Sequence, residues 1–171
     1  RQSWSYLADP APLPTDAGLR RSIDRPRDLP RYFAQQEVNA RAGLARGFTV
    51  PAVTLAGRDK SIAAYVVDDP LTSPFYRACP TATTSLSSVT RDQLCSELRE
   101  VIETGVTPAY ARWLAFFRDE YLPGARKTLA AEALPEGKAF YAQQIRQYTT
   151  LDLSADEIHR MLEEGVVSAP E

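Results

Sequence analysis

Histidine occurs once in the 171 residues, at position 159, and that scarcity is the first constraint on chemistry. A catalytic zinc takes three protein ligands, most often histidines, and leaves a fourth position open. His159 alone cannot assemble such a site, so no metal site is expected within the chain. Cysteine is nearly as rare. Cys79 and Cys95 are too few for a disulfide framework, and leave open either one bridge formed in an oxidising compartment or two free thiols. The eight glycines are scattered singly, which excludes a phosphate-cradling loop, and no Gly-x-Ser-x-Gly elbow is present. An excess of one charge is missing too: 20 basic against 22 acidic residues leave a net charge of −2, which gives no reason to expect nucleic acid or an anionic membrane as partner. No apolar run approaches the length that crosses a bilayer, so no transmembrane segment is expected.

What is present is an ordinary globular composition, 44% apolar and 25% charged, in a chain long enough for one compact domain or a piece of a larger one. The chain begins at Arg1 with neither an initiating Met nor a signal-peptide core, which reads as a processed end or a boundary within a longer sequence. Pro10, Pro12, Pro14, Pro26 and Pro30 crowd a start with few periodic apolar positions, so residues 1–28 are expected to form an extended arm. A helical domain over 29–167 and a short tail, 168–171, follow.

Asp28 as N-cap, Pro30 in the first turn and Gly47 past the end predict a helix from Leu29 to Arg46. Thr49 and Pro51 start a second, carrying Val53, Leu55, Ile62, Tyr65 and Val66, although Gly57 weakens it by roughly 1 kcal/mol relative to alanine. From Val67 to Ser88 the chain is rich in Pro, Ser and Thr, which is turn chemistry rather than core, and predicts a long loop or crossover. Thr90-Arg-Asp-Gln93 reads as a capping box before Leu94, Leu98, Val101 and Ile102. Thr107-Pro108 then opens a helix that carries Tyr110, Trp113, Leu114, Phe117 and Tyr121 until Leu122-Pro123-Gly124 stops it. A fifth helix spans about Lys138 to Tyr148. The sixth starts at the capping box Ser154-Ala-Asp-Glu157 and is expected to bury Ile158, Met161 and Leu162, with Leu153 stapled onto Ile158. The fold class is therefore all-α: an irregular multi-helix domain with a Pro-rich arm and one long Pro/Ser/Thr-rich loop.

Catalytic candidates are few. Asp68-Asp69, or Asp152 with Asp156, lack the alternating acidic pattern of a calcium loop and read as solvated turns. The serines at 85–88, Cys79 and Cys95 could act as nucleophiles only with His159 as base, and Cys95 lies beside the apolar face of its helix, where an inert buried thiol is the default. The aromatic row Tyr110, Trp113, Phe117 and Tyr121 belongs to the core. More informative is the stretch from Tyr141 to His159, dense in hydrogen-bonding groups: Tyr141, Gln144, Tyr148, Thr149, Thr150, Asp152 and His159. It forms either one wall of a binding cleft or a tight interhelical turn whose threonines and aspartate satisfy the backbone. His159, one residue off the apolar face, is by default a partly exposed boundary histidine.

Taken in order, Pro30-Arg-Tyr-Phe-Ala-Gln35, Gly43-Leu-Ala-Arg-Gly47, Tyr65-Val-Val-Asp-Asp-Pro70 with Ser73-Pro-Phe-Tyr76, Pro108-Ala-Tyr110, Glu120-Tyr-Leu-Pro123, Leu134-Pro-Glu-Gly137 and Tyr148-Thr-Thr-Leu-Asp-Leu-Ser-Ala-Asp-Glu-Ile-His159 resemble the bacterial family called domain of unknown function 885 over about residues 29–162. The resemblance implies an all-helical protein several times longer, often exported or lipid-anchored, periplasmic or otherwise in the cell envelope, acting as a zinc-dependent peptidase or related hydrolase. Its metal motif, His-Glu followed shortly by Pro-Gly-His, lies downstream of the matched region and is absent here, and the resemblance fades at Leu162. The chain is thus expected to be a segment of a larger helical fold, with no cofactor of its own and inactive alone. The missing C-terminal part of the same protein is its expected partner, and Tyr141, Tyr148, Thr149, Thr150 and His159 its candidate substrate-cleft residues. The alternative is a non-catalytic helical module that binds a peptide or small molecule.

Overall fold

The computed structural model describes residues 16–79 and 87–167, and every regular element among them is helical, as the sequence predicts. The first departs from expectation. Residues 1–15 lie outside the described part, but Asp16–Arg27 is a helix, α1, rather than extended chain, even with Pro26 inside it. An interior proline costs about 3 kcal/mol. Burying an isoleucine returns roughly 1.5–3 kcal/mol, and Ile23 is only 1% exposed where α1 packs on the helix that begins at Ser88. Packing therefore decides over local punctuation.

Helix α2 (Leu29–Ala45) follows almost directly. Asp28 is not its cap: its backbone is helical and its carboxylate accepts from Arg31 Nε at 3.0 Å instead. The far end behaves as expected. Gly47 adopts φ +74, Phe48 N donates to Gly43 O at 2.8 Å and Gly47 N to Leu44 O at 3.1 Å, a pairing that satisfies carbonyls the helix leaves open. The single helix expected after Thr49 is two short pieces, a 3-10 turn Ala52–Leu55 and α3 (Arg58–Ala63), parted by Gly57 at φ +73. The glycine breaks the helix outright instead of weakening it.

In the crossover, side chains of Asp69 and Ser73 accept from Leu71 N and Phe75 N and cap 3-10 turns Pro70–Thr72 and Pro74–Ala78. These turns place Phe75 in the core, 2% exposed, so the segment is not free of core residues. Residues 80–86 lie outside the described part. Cys79 is bridged to Cys95, which corrects the default of an inert thiol and pins the crossover to the next helix.

From Ser88 to Gly124 the chain is one long rod in place of two capped helices. Helix α4 (Ser88–Val101) is capped one turn earlier than expected, by the Ser87 hydroxyl accepting from Thr90 N at 3.1 Å. A π-helical turn, Ile102–Val106, leads without a break into α5 (Thr107–Phe116), and a second, Phe117–Tyr121, into the last turn Leu122–Gly124. Thr107 is helical and caps nothing. Pro108 and Pro123 each lack an N–H and would crowd a preceding carbonyl. The wider turns just before them accommodate that loss without ending the helix.

The core joins Ile23, Leu29, Phe33 and Phe75 to Leu94, Leu98, Val101, Ile102, Val106, Ala109 and Tyr110 of the rod. Phe33 meets Tyr110 edge-on at 4.9 Å and stacks on Trp113 at 5.5 Å, while Tyr65 stacks on Tyr110 at 4.6 Å. Beyond Ala125 the pattern changes. Among the described side chains, helices α6 (Gly137–Thr149) and α7 (Ala155–Val167) contribute no large apolar group to this core. Met161 and Leu162, expected to be buried, are 58% and 63% exposed, and α7 runs through Gly165 without stopping there.

Candidate functional site

The candidate cleft residues all fall on the α6–α7 hairpin. Its entry is tightly built. Glu136 adopts φ +57, Gly137 N donates to Leu134 O at 2.8 Å, and a Cβ at Gly137 would stand 2.3 Å from the Ala131 carbonyl oxygen, so only glycine fits. Its turn is equally constrained. Thr149 Oγ1 donates to Ile145 O at 2.7 Å and accepts from Leu151 N at 3.2 Å. Thr150, at φ +60, donates its N–H to Arg146 O at 2.9 Å and its hydroxyl to Thr149 O at 2.6 Å. A β-branched residue in the left-handed region carries strain of order 1–3 kcal/mol, here held by those bonds. Arg146 Nη2 reaches Asp152 at 2.6 Å.

Helix α7 starts as its sequence predicts. Ser154 Oγ accepts from Glu157 N at 3.2 Å, and Glu157 Oε2 accepts from Ser154 N at 2.7 Å, a reciprocal capping box. The backbone N–H and hydroxyl of Ser154 hold the Glu157 carboxyl below its ordinary value of 4.5.

The five residues thus divide. Thr149 and Thr150 spend their hydroxyls on the local backbone. Tyr141 and Tyr148, seven residues apart and so on one helical face, point their rings to solvent, Tyr148 at 82% exposure. His159 is also exposed and lies 3.3 Å from Glu163 one turn on. Among the described residues no hydrogen bond joins it to Tyr141, Tyr148, Thr149 or Thr150. The hairpin therefore offers two phenols with their aromatic faces and one imidazole, all able to bind and orient, with no assembled nucleophile and base among the described residues.

Other polar groupings escape sequence reasoning. Glu37, on the same face of α2 as Leu29 and Phe33, is buried and accepts from Arg112 Nε at 2.9 Å. Arg41 forks onto Glu120 with two 2.7 Å bonds while its guanidinium lies 4.8 Å over the Phe116 ring, which lowers the Glu120 pKa. Arg118 does the same to Asp59. The only readable sign was the Glu37–Arg41 spacing on one helix face. Open grooves among the described residues include one lined by Arg31, Gln35, Val38 and Asn39 and another by Arg27, Glu97, Glu100 and Thr104; neither of these includes a residue of the hairpin.

The described residues do not fit a zinc ion. Among them no group of three or more His, Cys, Asp and Glu side chains converges, and of the carboxylates named from the sequence Asp69 is engaged in a cap and Asp152 with Arg146. No described helix is long and apolar enough to cross a membrane.

A family model described as a bacterial protein of unknown function (DUF885) matches residues 1–168. That span takes in the N-terminal region and continues past Leu162, which corrects the narrower bounds of 29–162 expected from the motifs. Among solved structures, that of the "putative lipoprotein" from Colwellia psychrerythraea superposes with a TM-score of 0.74 at 22% identity, over 90% of this chain and 27% of the other. The likeness is one of fold, and the chain spans about a quarter of that protein's length. No curated protein matches the sequence.

Proposed function

The chain belongs to the bacterial DUF885 family, and on that premise we propose that it is the helical scaffold of a longer metal-dependent hydrolase or peptidase, to whose substrate cleft it contributes one wall while being inactive alone. The observation that carries this reading is the exposure of Tyr141, Tyr148 and His159 along one hairpin, with no group of three or more metal-ligating side chains among the described residues. Aromatic faces and an imidazole suit the backbone and apolar side chains of a peptide. Zinc in the intact protein would take its ligands from outside the described residues, and the role of this chain is to bind and orient. A location in the cell envelope is supported by the Cys79–Cys95 bridge, since such bonds persist in oxidising compartments, and by the description of the Colwellia protein.

The test is an assay of the 171-residue chain against a peptide library with added zinc. No turnover above background is expected, and robust zinc-dependent cleavage would refute the reading. In the longer gene product, Tyr148→Ala should raise KM several-fold with little change in kcat, the signature of lost ground-state binding.

A second reading, a non-catalytic helical module that binds a peptide or small molecule, is favoured by the closed core between Ile23 and Tyr110 and by its disulfide. A cooperative melt whose midpoint rises with added peptide would select it over the scaffold.

A further inference from the structure

Apolar exposure is unevenly distributed in this molecule. The core cluster lies wholly between Ile23 and Tyr110, whereas Phe140, Tyr141, Tyr148, Leu151, Met161 and Leu162 of the hairpin are all exposed. On α7, Ile158, Met161, Leu162 and Gly165 recur at three, four and seven residues and make a single stripe, of which Ile158 is half-buried and the two larger neighbours stand in solvent. The helix is nonetheless firmly initiated by its capping box. A well-capped amphipathic helix with its apolar stripe in water is ordinarily stabilised by packing against another element.

We propose that the Ile158–Met161–Leu162 stripe of α7 is an intramolecular docking face, covered by a helix of the same polypeptide lying outside the 171 residues, apolar along one side and bordered by Lys or Arg. This rests on the reading of the chain as a segment of a longer protein. Two observations select that occupant. The fold is matched within a protein of which it makes up only 27%, so related folds carry much further chain able to pack here. The stripe is also framed by acid along one side, where Glu157 and Glu164 lie at helical spacing, with His159 on the other side. A second copy docked on the same face would bring two such acidic frames together, which opposes symmetric pairing. A helix with basic borders meets opposite charge.

The experiment compares the 171-residue chain with the complete gene product, each carrying Met161→Cys and kept non-reduced so that Cys79 and Cys95 stay bridged. The probe is a water-soluble maleimide. Labelling should be fast in the short chain and at least tenfold slower in the long one, and Leu162→Asp should lower the melting midpoint of the long form while leaving that of the short form unchanged. Equal, fast labelling in both forms overturns the proposal, as does a gene product no longer than the short chain. Concentration-dependent protection of the short chain, with a dimeric mass, also overturns it and assigns the face to a second copy. Peptide hydrolysis is read in the same samples: protection without activity retains the docking face and removes the hydrolase reading, while activity without protection does the reverse.

Discussion

Tyr110 shows how much a single side chain can hide. Its ring lies against Phe33, Tyr65 and Phe75, as its place in the aromatic row predicts. Its hydroxyl, with that of Thr107 one turn before, is buried with no hydrogen-bond partner, and burial pushes the phenol well above its ordinary pKa, with Tyr65 adding to the shift. An unpaired buried hydroxyl costs about 1–3 kcal/mol. Tyr110→Phe should therefore leave the melting midpoint unchanged or raise it, and a loss greater than about 1 kcal/mol would show that the hydroxyl has a partner. Glu37 teaches the opposite lesson. A glutamate on the Leu29–Phe33 face would be read as a breach in an apolar stripe, yet Arg112 and Arg41 reach it from α5 and from its own helix. Only the approach of α5 makes that burial tolerable.

At the scale of elements, punctuation is legible wherever it is local. The Ser154–Glu157 box and the Gly47 end need nothing beyond neighbouring residues, and both form as their sequences predict. Ser154→Ala should cost about 1 kcal/mol of α7 helicity, measured by faster amide exchange over Ala155–Val167 without a matching change in the core. The acid response has a definite sign. Because the folded-state pKa of Glu157 is lowered, its support is fully present above about pH 4.5 and is lost as pH falls through the lowered value. Corrected for the intrinsic slowing of exchange at low pH, the protection of α7 amides should fall on acidification, and Glu157→Gln should abolish that dependence. Thr107-Pro108 is where local reading fails. A threonine before a proline imitates a helix start, but Val106 and Ala109 are buried on either side, and keeping both in the core requires one continuous rod with a widened turn. The α1 proline fails as a breaker for the same reason.

For the whole molecule, the Cys79–Cys95 bridge closes a loop across 16 positions and joins the crossover to the rod. In the chain-entropy account such a loop contributes roughly 3 kcal/mol by restricting the unfolded chain. Reduction, or paired serine substitution, should lower the melting midpoint of the body, and an unchanged midpoint would show that the bridge is dispensable. The candidate site was only half legible. The sequence places Tyr141, Tyr148, Thr149, Thr150 and His159 on one hairpin, which the capping box and the Leu134-Pro-Glu-Gly137 turn do specify. It does not tell which of them keep free side chains, because the threonines are consumed by backbone groups that exist only once the turn has closed.

By itself, then, the sequence determined the helical class, the Gly47 end of α2, the glycine entry to α6, the capped start of α7 and the presence of a single histidine, since each depends on residues within a turn or two of one another or on composition alone. Tertiary structure decided the rest. It made a helix of Asp16–Arg27, fused two helices into one rod, drew Phe75 and Glu37 inside, paired the two cysteines and left Met161 and Leu162 in solvent. Each of those outcomes is set by which surfaces meet, and burial energy shared between distant segments is as large as the local preferences it overrides.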